Sequence, residues 1–153
     1  MKQLELKVPP LLLVLVFAIL MWLSHSYFQL ALLPKETSLA LFILFELFGL
    51  VIILSGALAF KLAQTTVNPT KPETTSSLVK SGIYKITRNP MYLGMASCLI
   101  GWGMHLSNPN SVFFIIGFII YINQFQIKPE EKMLSKIFKQ DFIDYCASVR
   151  RWI

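Results

Sequence analysis

Apolar positions along the chain fall into long runs separated by short polar breaks. The first run, Val8 to Pro34, carries no charge and one histidine, His25. The second, Leu39 to Phe60, is interrupted only by Glu46 and closed by Lys61. Each reaches or exceeds the ~20 residues that cross a bilayer core. Pro9 and Pro10 stand where a helix would begin, a place where a missing N–H costs little. Asn89 to Ile127 is uncharged and too long for one helix, and His105 to Ser111, with Asn108-Pro109-Asn110 inside it, gives a turn signal. The pattern therefore predicts membrane spans at about 9–33, 38–60, 91–105 and 111–127, the last two a short hairpin. Spans that short imply tilt, local thinning of the bilayer or burial against the first pair.

The segment from Leu62 to Arg88 is rich in Thr, Ser, Pro and Lys and reads as a polar loop. After Pro129, Leu134, Ile137, Phe138, Phe142, Tyr145, Val149 and Trp152 recur at steps of three and four, with Lys132, Lys136 and Lys139 on another face. This predicts an amphipathic surface helix over about 130–148, with basic flanks for an anionic membrane surface. The expected fold is all-α: a polytopic membrane protein of four transmembrane helices plus a C-terminal surface helix, in one domain over 1–153.

Composition strengthens that picture. Hydrophobic residues make up 55% of the chain, charged residues 14%, and mean hydropathy is +0.61. A soluble domain carries nearer a quarter charged residues, so the excess apolar surface faces lipid. The net charge of +6 forms no continuous basic arm, which argues against nucleic acid as a partner. Of the 14 lysines and arginines, all but Lys35 fall before the first span, in the second loop or after the fourth span. The bias of basic residues toward the cytoplasm then places both termini inside, in an inner or plasma membrane. Cys98 and Cys146 have no metal-ligand spacing and are expected to be unpaired thiols. No metal site is expected, and the first run is too long for the apolar region of a signal peptide.

Two clusters on the expected cytoplasmic side concentrate groups capable of chemistry. The first is Gly82-Ile83-Tyr84-Lys85-Ile86-Thr87-Arg88-Asn89-Pro90-Met91-Tyr92-Leu93-Gly94, at the mouth of a membrane helix. An arginine fork can hold a carboxylate in bidentate geometry, and a tyrosine offers an apolar ring with a polar tip. Gly94, one turn in, allows close approach of a ligand or of another helix. The same Tyr and Arg residues also fit an interfacial anchor. The second cluster is Pro129-Glu130-Glu131, which fits either the N-terminus of the surface helix or a site for a cation or amine. Neighbouring side chains on a helix diverge by about 100°, so the two carboxylates are expected to serve different partners.

The ordered series Gly82-x-Tyr84, Arg88-Asn89-Pro90-x-Tyr92-x-Gly94, then Pro129-Glu130-Glu131 after a hydrophobic hairpin, resembles the isoprenylcysteine carboxyl methyltransferase family and the related phospholipid methyltransferases, bacterial members in particular. Thr65-Thr66-Val67-Asn68-Pro69 and the ending Val149-Arg150-Arg151-Trp152 belong to the same resemblance. Asn89 stands where eukaryotic members usually have histidine. The resemblance implies an S-adenosylmethionine-dependent methyltransferase working at the cytoplasmic membrane face. It implies a cofactor site from Tyr84, Arg88, Asn89, Pro90, Tyr92, Gly94, Gln126, Glu130 and Glu131, with Arg88 and Glu130 as the catalytic pair. Asn68, Arg150 and Arg151 would meet the acceptor, which is lipophilic or a small molecule: an isoprenylcysteine-like carboxylate, a small thiol or a lipid. Membrane lipid is a further implied partner.

Other polar residues in the runs keep two readings each. Glu46 lies mid-helix in hydrocarbon, where a charge is functional or paired. Asn123, Gln124 and Gln126 extend the polar pocket inward or bond helix to helix. His25 fits the interface, and His105 the outer turn. Two other functions fit the same chain: a non-catalytic membrane protein that binds lipid or a partner, and a sterol-reductase-like enzyme using NADPH. No GxGxxG turn is present, which argues against a soluble-type dinucleotide site.

Overall fold

The computed structural model describes residues 5–28, 31–64 and 77–153. Asn68 and the rest of the Thr65–Pro69 motif lie outside the described residues. All regular structure among those described is helical: α1 (Pro10–Tyr27), α2 (Lys35–Leu62), a short 3-10 turn (Gly82–Lys85), α3 (Pro90–Leu106), α4 (Ser111–Ile122), α5 (Lys128–Phe138) and α6 (Gln140–Ser148). Among the described residues, three helices are long and apolar enough to cross a membrane: α1, α2 and the continuous stretch Ser111–Phe138.

α3, at 17 residues, is shorter than these and lies at the centre of the bundle, packed on α2 along one side and on α1 and α4 along the other. Its sequence explains the position. Gly94, Ser97, Gly101 and Gly103 are small enough for neighbouring backbones to come close. A Cβ on Gly94 would stand 2.6 Å from the Gly49 carbonyl oxygen, and a Cβ on Gly49 would stand 2.6 Å from that of Gly94. Ser97 Oγ donates to the Phe45 carbonyl across the same seam at 3.0 Å. Glu46 lies here too: a Cβ on Gly101 would be 3.3 Å from its Oε1. Large apolar side chains, Met21, Leu99, Phe118 and Ile122, fill the α1–α3–α4 side.

The C-terminal third departs from the expected single surface helix over 130–148. α4 does not stop before Pro129. It runs through a π-helical stretch, Asn123–Ile127, where the Lys128 N–H bonds the Asn123 carbonyl, and continues as α5. The physical reason lies in Pro129, which has no N–H to give the carbonyls one turn earlier. The wider π turn leaves room for its ring, and the Phe125 carbonyl accepts from the Leu6 N–H at 3.0 Å instead. The helical path then breaks at Lys139, whose φ of 46° and ψ of −118° turn the chain into α6. α6 folds back to lay Phe142 and Tyr145 inward.

Candidate active site

At one end of α3, three segments meet: the 3-10 turn with the start of α3, the π stretch with α5, and α6 with the C-terminal residues. Pro90 opens α3 at its first turn, with no N–H required there. That start fixes Arg88 and Asn89 just outside the helix and Tyr92 one half-turn inside it.

Glu131 lies between two arginines. Its Oε1 accepts from Arg88 Nη2 at 2.9 Å and from Arg151 Nε at 3.1 Å, and its Oε2 accepts from Arg151 Nη2 at 2.5 Å. Arg88 also donates through Nη1 to the carbonyls of Cys146 at 3.0 Å and Val149 at 2.5 Å. Its Nε is buried and has no hydrogen-bond partner among the described residues. Arg151 reaches Asn123 Oδ1 through Nη1 at 3.2 Å, so the π stretch joins the cluster as well. The bond to Glu131 moves the Arg151 guanidinium further up, keeping it charged.

Glu130 takes a different partner. Tyr92 donates its hydroxyl to Glu130 Oε1 at 2.5 Å. The two adjacent carboxylates thus diverge on the helix, one toward α3 and one toward the arginines.

The backbone of the C-terminal segment is pinned to the same place. Arg88 N–H donates to the Arg150 carbonyl at 3.0 Å, Asn89 Nδ2 to the Arg151 carbonyl at 2.9 Å and Thr87 Oγ1 to it at 3.3 Å. Arg150 enters through its carbonyl only, and its residue is exposed. Trp152 packs against the main apolar core. Tyr145 donates to the Tyr84 carbonyl at 2.7 Å, and burial pushes both phenols above their ordinary range, so they remain neutral.

The structure therefore brings Arg88, Asn89, Pro90, Tyr92, Glu130, Glu131 and Arg151 together. It places one expected cofactor residue, Gly94, away from them. Gly94 faces α2 in the helix seam, where Gly49 fills the space beside it. Tyr84 borders the cluster: its ring packs edge-on against Phe60, 5.4 Å away, and burial, then the neighbouring Tyr145 and Glu130, push its phenol up. Gln126 is fully buried; its Nε2 donates to the Val8 carbonyl at 2.7 Å, while its Oε1 has no partner among the described residues. Sequence reasoning missed Thr87 and Tyr145, which hold the segment in place. It also missed the docking of Leu6 and Val8 on the π stretch. The spacing of Pro129 to Phe125, four residues, is the signal that would have found the last.

Such a cluster has both charge signs, a spare buried guanidinium N–H and a tyrosine–carboxylate pair. A zwitterionic amino-acid end fits that donor set: a carboxylate for its ammonium and arginines for its carboxylate.

A phospholipid methyltransferase family model matches residues 37–141. An uncharacterised protein of Haemophilus influenzae is 40% identical over 63 residues, 41% of this chain and 100% of that protein. The protein-S-isoprenylcysteine O-methyltransferase of Saccharomyces cerevisiae is 37% identical over 76 residues, 50% of this chain and 32% of the yeast protein. Protein-S-isoprenylcysteine O-methyltransferase B of Arabidopsis thaliana is 30% identical over 112 residues, 67% of this chain and 55% of that enzyme. The chain thus spans about a third of the yeast relative and about half of the plant one. No solved structure matches.

Proposed function

The chain belongs to the phospholipid methyltransferase family, and from that premise we propose that it transfers a methyl group from S-adenosylmethionine to a lipophilic acceptor at the cytoplasmic face of a membrane. The observation that carries the reading is the Arg88–Glu131–Arg151 cluster, which places both charge signs and an unpartnered guanidinium N–H at one end of the bundle.

S-adenosylmethionine, when bound, would supply an electrophilic sulfonium methyl, with a neutral thioether as the leaving group. The chain's own task is to bind, align and exclude water. Arg88 and Arg151 would hold the cofactor's carboxylate, and Glu131 would exchange part of its arginine contact for the ammonium. Asn123 steadies Arg151. Asn89 and Thr87 hold the C-terminal segment beside the site. Alignment of donor and acceptor supplies much of the acceleration in a displacement that disperses charge. A carboxylate or thiolate acceptor attacks without a base. An amine or hydroxyl acceptor gives up a proton, and Glu130 is the group to take it, with the Tyr92 hydroxyl holding its Oε1 in place. The acceptor's apolar part remains among the lipid-facing helices.

Calorimetric titration of detergent-purified protein with S-adenosylmethionine and S-adenosylhomocysteine, with NADPH as control, tests the assignment. Micromolar binding of either sulfur compound and none of NADPH is expected. Folded protein that binds neither would overturn it.

A further inference from the structure

The opposite end of the bundle holds a cavity of about 530 Å³ where the last turn of α1, the first turn of α2 and the last turn of α3 converge. It lies roughly 20 Å along α3 from Tyr92, at 1.5 Å per residue. Trp22, His25, Lys35, Trp102, His105 and Ser107 are among its lining residues, and none of the described lining residues is acidic.

Its walls are fixed by bonds that leave specific groups free. Ser107 holds a left-handed conformation, φ 51°. Its carbonyl accepts from Leu32 N–H at 3.1 Å and its hydroxyl from Leu33 N–H at 2.7 Å, which ties down the segment leading into α2. Ser38 Oγ donates to the carbonyls of Met104 and His105 at 2.7 and 3.0 Å. Trp102 donates its indole N–H to Ala18 at 3.0 Å and stacks on the His105 ring at 5.5 Å. With those groups committed, four nitrogen-bearing side chains remain around the space: Lys35, His105, His25 and the half-exposed Trp22. The Nδ1 of His25 is buried and has no partner among the described residues. The first turn of α2 begins beside them without a side-chain cap; it also carries Glu36, which is not among the lining residues.

We propose that this cavity is a second binding site, for a phosphate group, on the membrane face away from the Arg88–Glu131 cluster. An ammonium, two imidazoles and the Trp22 indole N–H supply its donors. Trp22 and the exposed apolar residues Leu32 and Leu39 beside it provide an apolar margin for acyl chains. The phosphate is that of a phospholipid headgroup or free inorganic phosphate, both of which present the same oxygens. The site stands independently of methyl transfer, since no residue of it belongs to the catalytic end.

Native mass spectrometry of the whole protein, released from mixed micelles containing dioleoyl-phosphatidylglycerol or dioleoylglycerol, tests this. The two lipids share their tails and differ in the phosphate. Retention of the phospholipid and not of the diglyceride is expected. Lys35→Gln and His105→Gln, both at exposed positions, are each expected to weaken retention about tenfold, the loss of one charge-assisted contact. Their thermal melting and S-adenosylhomocysteine binding should remain at the wild-type level. Displacement of the phospholipid by inorganic phosphate assigns the site to the free anion; retention in its presence assigns it to the headgroup. Equal retention of the two lipids, or undiminished retention in both variants, overturns the proposal.

Discussion

Tyr92 of α3 and Glu130 of α5 are joined by a hydroxyl-to-carboxylate hydrogen bond of 2.5 Å, the one side-chain hydrogen bond between those helices among the described residues. Glu130 sits in the first turn of a helix whose path is displaced by the π stretch just before it. The bond therefore records where the π turn points α5. Replacing Tyr92 by Phe keeps the ring and removes the donor, leaving a half-buried carboxylate short of a partner. A loss of about 1–3 kcal/mol is expected, read as a lower melting temperature in detergent. Glu130→Gln keeps an acceptor oxygen for Tyr92, so a smaller loss is expected. For an amine or hydroxyl acceptor the same substitution also removes the base, and methyl transfer should fall while cofactor affinity holds. A Tyr92→Phe protein that melts like the wild type would show the contact to be idle.

Glu131→Ala strips the carboxylate from two arginines at once. The side chains involved are 12–34% exposed, so water screens part of the cost. A destabilisation of about 1–3 kcal/mol is expected, below the range for fully buried pairs. Cofactor affinity should drop more than about tenfold, because the ammonium loses its counter-charge. Arg88→Ala should weaken binding by at least the same factor and also loosen the last residues, since Arg88 holds the carbonyls of Cys146 and Val149. Arg88→Lys keeps the charge but not the fork and should restore little. Titration calorimetry on the three variants checks the set; unchanged affinity in all of them would remove these residues from the site.

The apolar runs made the helical, membrane-embedded character legible, because ~20 uncharged residues leave the chain few other options. The pairing of opposite charges was legible in part, since Arg88 and Glu131 stood at the ends of adjacent runs. The path after residue 122 was not. Pro129 followed by two glutamates reads as a fresh helix start, and nothing local reveals that the preceding helix widens and continues instead. The break at Lys139 was hidden by an apolar spacing that carries on across it. Gly94 had two readings, ligand or helix contact, and only the approach of Gly49 distinguishes them.

That approach sets a steric prediction. A Cβ added at Gly94 meets the Gly49 carbonyl oxygen and Ile53 Cγ1 at 2.6 Å each, and neither backbone can retreat without separating α2 from α3. Gly94→Ala should cost about 1–3 kcal/mol and lower the melting temperature accordingly. Gly117 provides the comparison, because a Cβ there meets only the Phe17 ring, at 3.3 and 3.8 Å. Gly117→Ala should cost markedly less. Equal melting of the two variants would mean that the seam is wider than described.

The N-terminal segment closes over the π stretch through two bonds, Leu6 N–H to the Phe125 carbonyl and Gln126 Nε2 to the Val8 carbonyl. Leu6 adopts a left-handed conformation, φ 58°, which a branched side chain accepts only when neighbouring contacts hold it. Its amide should therefore exchange with solvent deuterium slowly for a residue so near a chain end. Gln126→Leu removes one anchor and should speed that exchange. Pro129→Ala acts differently: it returns an N–H that competes for the carbonyls one turn earlier, so the π turn is expected to tighten and release Leu6. Both substitutions should raise exchange at Leu6 while leaving α2 protected, because α2 packs on α3 and the 3-10 turn rather than on this corner. Wild-type exchange at Leu6 as fast as in a free peptide would refute the docking and, with it, this account of how a proline is carried inside a continuous helix.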